Sequence, residues 1–149
     1  MENPPTAPAP EHPPRAQVRR LRLFETRGSV GRCRDFALAA LHDWRWLPAE
    51  DEEGRAVAGD VLLLVTELVT NACLHAGGPR ELALALEGGS IRVEVSDASP
   101  VEPAIRTGQS PAVPSGHGLR VVDRLATAWG YARHEGGKTV WLEVARRPG

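Results

Sequence analysis

The sequence predicts an α+β fold, a two-layer sandwich in which about three helices cover one face of a mixed, mostly antiparallel sheet. Two observations indicate this class. Short alternating apolar runs come in pairs joined by glycines, as hairpins do, and three longer segments repeat apolar residues every three or four positions, as helices do. In chain order the elements are strand, helix, helix, hairpin, helix and hairpin, which is typical of a sheet covered on one face.

The first half of the chain supplies one strand and two helices. Ser29 has the residue type of a helix N-cap, and the acidic run from Glu50 to Glu53 reads as a loop between the helices. Glycines and a proline after His75 end the second helix. The predicted elements are an exposed edge strand over 17–24, a helix over 29–46 and a helix over 56–75.

The second half supplies two hairpins around a third helix. Alternating apolar residues on either side of Gly88 and Gly89 predict the first hairpin, and Gly136 with Gly137 predicts the turn of the last one. In the last hairpin we interpret Lys138 as a solvated charge. The remaining predicted elements are a long loop over 98–115, a helix over 117–128 and strands over 129–134 and 139–144.

Composition and charge argue against several classes of protein. The chain has 149 residues and a formal net charge of -1, whereas nucleic-acid binders usually carry a basic excess. Its apolar runs are too short for a membrane span, and its start shows no secretory signal. Cys33 and Cys73 fit a reduced compartment, although one bridge stays open. We expect a cytoplasmic protein without nucleic-acid or membrane partners, with a disordered proline-rich tail over 1–15 and one domain over 16–149.

Three features stand out as candidates for a functional site. Glu67 and Asn71 lie four residues apart and share a helix face, either as ligands for something or as an exposed polar stripe. Asp97 continues the buried parity of its strand, where it either accepts from an exocyclic amine such as adenine N6 or caps the next turn. Gly116 and Gly118 open the third helix, either as a phosphate site or as an ordinary loop end.

The segment ARHEGGKT over 132–139 is close to a phosphate-binding loop. That loop requires a strand before it and a helix after it, because the helix N-terminus holds the phosphates. Here the residues from Thr139 onward alternate like a strand, which excludes a Walker-type site.

Taken together, the features resemble the GHKL ATPase superfamily, and in detail its small branch of anti-sigma-factor serine/threonine kinases. The resemblance covers about Val18 to Val144 and implies a Bergerat-type ATP-binding fold, here a histidine-kinase-like ATP-binding domain. It is carried by the segments VTELVTNACLHA, VEVSDASP, SGHGLRVVDRLATAWG and GGKTVWLEV.

The resemblance implies roles for individual residues around ATP and Mg²⁺. Asn71 would ligate the Mg²⁺ that bridges the phosphates, and Glu67 would act as the general base. Asp97 would read the adenine amine, with Thr139 helping through a water molecule. The residues that would close on the phosphates are Gly116, Gly118 and Leu119.

The implied reaction is transfer of the γ-phosphate to a serine or threonine of an anti-anti-sigma (STAS-type) partner, together with sequestration of a sigma factor. Homodimers are common in this branch. Two departures leave an alternative open: Pro114 stands where the branch often has a basic residue, and Arg106 is the one cation between Val101 and Ser115. The alternative is a catalytically weak or inactive ATP-binding adaptor. A third hypothesis is an interaction domain that binds no nucleotide.

Overall fold

A computed structural model describes residues 17–25, 27–103 and 114–146, with the backbone alone over 114–119. The predicted tail and residues 104–113 of the predicted loop lie outside the described residues. The elements are β1 (Gln17–Arg22), α1 (Ser29–Asp43), α2 (Glu52–His75), β2 (Pro79–Glu87), β3 (Ser90–Asp97), α3 (Pro114–Leu125), β4 (Ala128–His134) and β5 (Gly137–Ala145). The predicted fold class is confirmed.

The described strands form one five-stranded open sheet in the order β1-β2-β3-β5-β4. Each of the four pairings is antiparallel, and β1 is an edge strand, as predicted. Alternate residues of the central strands turn toward the helices and make up the core, where each buried aliphatic side chain contributes about 1.5–3 kcal/mol. They are Leu82, Leu84, Ile91, Val93, Val95, Val140, Leu142 and Val144.

Helix α2 is the centre of the helix layer. It contacts β2, β3 and β5 and packs against both other helices, whereas α1 contacts β1 and β2, and α3 contacts β4. Among the described helices, α2 alone is long and apolar enough to cross a membrane by length and composition. Its buried apolar residues pack in the core against the sheet and the neighbouring helices, whereas Leu63 and Leu74 are exposed.

The predicted start of α1 at Ser29 is confirmed but its capping residue is wrong, and α2 begins at Glu52, four residues before the predicted start. Ser29 does not cap α1: the N-cap is Gly28 at a φ of 72°, without a side-chain cap, and the Ser29 hydroxyl lies 3.3 Å from Cys73 Sγ. The acidic run is not a loop, because Asp51 caps α2 by accepting a hydrogen bond from the Gly54 amide at 2.7 Å. The next two glutamates form the first turn of α2, where negative charge favours the helix dipole.

Both hairpins are confirmed, with one change in register. The first turns at Gly88 and Gly89, as predicted. The second turns at Glu135 and Gly136, one residue earlier than predicted, so Gly137 is already the first residue of β5. Helix α3 begins at Pro114, three residues before the predicted start, in agreement with the preference of proline for the first helical position.

The two cysteines are free thiols on neighbouring helices. Cys33 on α1 is 0% exposed, and burial raises its pKa to about 11. Its thiol therefore stays protonated at neutral pH and acts as a small apolar side chain. Cys73, on α2, is half-buried.

The face of the sheet that points away from the helices contains a buried cation. Arg92 of β3 donates to Glu94 and to Glu143, each at 2.8 Å, and its guanidinium lies 4.4 Å from the centroid of the Trp141 ring. Because Arg92 faces two carboxylates, this group is a structural ion cluster that joins β3 to β5.

Candidate functional site

One flank of α2 presents Glu67 and Asn71 toward α3. Cys73 marks the opposite flank, because its sulfur contacts Ser29 of α1. Each residue turns the helix by about 100°, so Asn71 lies on the side away from Cys73, and Glu67 lies one turn before it. Both side chains are half-buried rather than exposed, whereas His75 at the helix end is exposed.

Neither Glu67 nor Asn71 forms a side-chain hydrogen bond with another residue in the described part of the chain. Half-buried polar groups in folded proteins normally have partners. Glu67 and Asn71 are therefore the candidate polar groups for a ligand site on this flank. A second acid, Asp60, lies two turns before Glu67 on the same flank, and burial raises the pKa of its carboxyl. Asp60 was not predicted as a site residue from its sequence pattern.

The connection from α2 to β2 brings Asn71 to the same end of the sheet as Asp97. Helix α2 ends at His75, one turn after Asn71, and β2 begins four residues later at Pro79. Pro79 pairs with Asp97, the last residue of β3. The C-terminal end of α2 and the C-terminal end of β3 are therefore neighbours.

The first turn of α3 is directed toward the same end. Helix α3 ends at Leu125, and β4 starts shortly afterwards at Ala128, which pairs with Glu143 at the far end of the sheet. With 12 residues, α3 spans about 18 Å along β4 and α2. Its N-terminal turn therefore lies back toward Asp97. This turn contains Gly116, and Gly118 and Leu119 follow in the next turn, so both glycines lie inside the helix rather than before it.

Asp97 both faces the core side of the sheet and caps a turn. Its side chain is 3% exposed, and Oδ1 accepts hydrogen bonds from the Ser99 amide at 2.9 Å and from Lys138 Nζ at 3.1 Å. The turn-capping interpretation is therefore confirmed, and contact with an adenine amine stays a prediction. The carboxylate is held in one orientation by a backbone amide and a buried cation.

Lys138 was predicted to be a solvated charge, and this prediction is wrong. It is 6% exposed, and its ammonium group donates to Asp97 Oδ1 and to the Ser99 carbonyl at 3.2 Å. The signal was the alternation of β5: Lys138 shares the parity of the core residues Val140 and Leu142.

Thr139 lies on the other face of the sheet. The register pairs Asp97 with Lys138 and Ser96 with Thr139, and side chains alternate between faces. The Thr139 hydroxyl is 2.8 Å from Ser96 Oγ and 3.2 Å from His134 Nε2. The structure therefore does not bring Thr139 beside Asp97, and Lys138 occupies that position.

Gly137 allows the close approach that creates the Asp97–Lys138 pair. A Cβ at this position would lie 2.0 Å from the Asp97 carbonyl oxygen and 2.7 Å from the backbone of Ala98, and its φ is 142°. No side chain fits there without moving β5 away from the end of β3.

We expect Gly137→Ala to lower the free energy of unfolding by about 2–3 kcal/mol, because the added methyl group meets backbone atoms and the φ is unfavourable for alanine. Gly136→Ala is the matched control. Its Cβ would come no closer than 3.8 Å to the His134 ring, so its effect should stay within about 0.5 kcal/mol. Urea unfolding measures the free energy of unfolding of both variants. Equal values would contradict the requirement for glycine at position 137.

The segment after Asp97 is tied to β4. Arg133, the register partner of Lys138, donates to the Pro100 carbonyl at 3.0 Å and lies 3.9 Å from the Glu102 carboxylate. Burial raises the pKa of Tyr131, and the negative charge of Glu102 and a hydrogen bond with it raise the pKa further. These contacts anchor the start of the long connection to α3.

Comparison with known proteins gives one family. Residues 25–144 match the family model described as the histidine kinase-like ATPase domain. The match extends from just before α1 almost to the end of β5 and covers well over half of the chain. It includes α2, the end of β3, the first turn of α3 and the start of β5. No curated protein matches the chain significantly.

Proposed function

The chain belongs to the histidine kinase-like ATPase domain family of the GHKL superfamily, and on that premise we propose that it binds ATP with Mg²⁺ at the Asp97 end of the sheet. The observation that carries the proposal is the arrangement of the polar groups. Two half-buried side chains without described hydrogen-bond partners, Glu67 and Asn71, lie at the end of the sheet where Asp97 is buried.

The proposed metal ligand is the amide oxygen of Asn71. Mg²⁺ prefers hard oxygen ligands and is usually held by few protein groups together with substrate phosphates. The described residues contain no cluster of three or more His, Cys, Asp or Glu side chains that fits a metal ion, so Asn71 and the phosphates together fit best. When bound, Mg²⁺ neutralises charge that develops on the phosphates.

The proposed nucleotide contacts use the two other parts of the site. The start of α3, with Gly116, Gly118 and Leu119, closes on the phosphates, and the free backbone amides of its first turn attract the anionic groups. The Asp97 carboxylate accepts from the adenine N6 amine. The water-mediated role of Thr139 finds no support, because its hydroxyl lies on the opposite face of the sheet.

The proposed reaction is phosphorylation of a protein serine or threonine. The hydroxyl oxygen of the acceptor forms a bond to the γ-phosphorus while the bond from that phosphorus to the β–γ bridging oxygen breaks, which leaves ADP. Glu67 accepts the hydroxyl proton. The segments that resemble anti-sigma-factor kinases support an anti-anti-sigma (STAS-type) acceptor and sequestration of a sigma factor.

The second candidate is an adaptor that binds ATP but transfers no phosphate. Arg106 is the one basic residue between Val101 and Ser115, and Pro114 precedes the glycines of α3. Cations near the γ-phosphate commonly stabilise phosphoryl transfer, so a cation-poor segment favours weak catalysis.

Incubation with γ-labelled ATP, Mg²⁺ and a candidate STAS-type protein separates the two candidates. The kinase proposal predicts label on a serine or threonine of the partner, with ADP formed in equal amount. Bound ATP without any labelled partner, across a panel of such proteins, would reject the kinase and favour the adaptor.

A further inference from the structure

The ammonium group of Lys138 lies beside the Asp97 carboxylate, where the adenine ring of the proposed ATP would bind. Its Nζ is 3.1 Å from Asp97 Oδ1 and 3.2 Å from the Ser99 carbonyl oxygen, and the side chain is 7% exposed. An ammonium group has three N–H donors. Two are directed at these oxygens, and the third has no acceptor among the described residues.

The carboxylate beside it also keeps one acceptor open. Both described contacts of Asp97 fall on Oδ1. Asp97 Oδ2 has no hydrogen-bond partner among the described residues, and it is not one of their buried, unpartnered side-chain atoms, which are Arg92 Nη2 and Trp141 Nε1. The end of the sheet therefore presents an acceptor and a donor side by side.

Adenine carries the complementary pair, because its N6 amine is a donor and the adjacent ring nitrogen N1 is an acceptor. Enzymes that read an isolated base do so by hydrogen bonds to this edge. We propose that Lys138 donates a hydrogen bond to N1 of adenine while Asp97 accepts one from N6, which makes Lys138 a specificity-determining residue. This inference rests on the proposed ATP site and assigns how the base is recognised there.

The choice of lysine at this position supports a recognition role. Lys138 is the only lysine in the chain, and the remaining members of the 18 Lys and Arg residues are arginines. Where the fold needs a buried structural cation, at Arg92, it uses arginine between two carboxylates. An ammonium group is compact and can direct a spare donor at a third acceptor, whereas a guanidinium is a planar fork.

The test compares the affinity of the full wild-type chain for ATP and for 1-deaza-ATP, in which a C–H group replaces N1 and the N6 amine remains. We expect 1-deaza-ATP to bind about tenfold more weakly, the size of one hydrogen bond to a charged group. Equal affinities would overturn the role of Lys138 and leave the proposed function intact. Absence of ATP binding would instead contradict the proposed function itself.

Two variants separate recognition from structure. Lys138→Met removes the hydrogen-bond donor, so this variant should bind ATP and 1-deaza-ATP with about equal affinity. Arg133→Met is the matched control, since Arg133 is an exposed cation opposite Lys138 on β4 and should keep the preference. A tenfold preference that survives in Lys138→Met would overturn the proposal. If that variant does not fold, the wild-type comparison decides alone.

Discussion

Replacement of Asp97 by alanine is expected to lower the free energy of unfolding by about 3–5 kcal/mol, because it leaves a buried ammonium group without its counter-charge. Lys138 is 6% exposed and would keep only the Ser99 carbonyl as a described acceptor. The Ser99 amide would lose its acceptor as well. Urea unfolding followed by circular dichroism measures the change.

The double variant Asp97→Ala/Lys138→Met is the control for this explanation. It removes the cation together with the carboxylate, so no charge remains buried, and it should recover most of the stability that the single variant loses. If the double variant were less stable than Asp97→Ala by the full cost of Lys138→Met alone, the two side chains would be independent. That result would contradict the ion pair.

Replacement of Glu67 by glutamine is expected to reduce phosphate transfer to the partner by about 10²–10⁴-fold, because glutamine cannot accept the hydroxyl proton. The affinity for ATP should change less than about twofold, since the amide preserves the shape and hydrogen-bonding reach of the side chain. Single-turnover transfer of labelled phosphate, with ATP binding measured separately, distinguishes the two effects.

Glu53→Gln is the matched control for Glu67→Gln. Glu53 lies on the same helix in its exposed first turn, far along the chain from Asn71. Its transfer rate should equal that of the wild type. If Glu67→Gln transferred phosphate at the wild-type rate, Glu67 would not be the proton acceptor. If the variant lost both phosphate transfer and ATP binding, Glu67 would have a structural role instead.

The fold was predictable where the pattern is local. The runs around Gly88 and Gly89 place large apolar residues at every second position, and this period decides which of them face the helices. The sheet layer and the central position of the long apolar helix follow from such patterns. The position of Glu67 and Asn71 on one flank of that helix was likewise predictable from their four-residue spacing, whereas their role in a site stays a prediction.

The capping residues of α1 and α2 were not predicted, for two different reasons. Ser29 is a favoured capping residue, but its hydroxyl contacts Cys73 on another helix, and Gly28 adopts the left-handed conformation that begins α1. Charge alone suggested that the acidic run is a loop, whereas Asp51 caps α2 and extends the helix through that run.

The pairing of Asp97 with Lys138 depended on a turn that the sequence places ambiguously. A turn at Glu135 and Gly136, rather than at Gly136 and Gly137, starts β5 one residue earlier and includes Lys138 in the strand. Parity with Val140 then directs Lys138 toward the helices and Thr139 away from them. A one-residue difference at the turn thus decides which side chain meets the carboxylate.

Calorimetric titration of ATP, with and without Mg²⁺, into the wild-type chain and Asn71→Ala tests the central claim most directly. The account predicts one site per chain in the wild type, with tighter binding when Mg²⁺ is present. In Asn71→Ala, the increase in ATP affinity on addition of Mg²⁺ should be smaller by about tenfold or more, because the protein ligand to the metal is lost. A wild-type chain that binds no ATP, or that binds it without regard to Mg²⁺ and Asn71, would contradict the account.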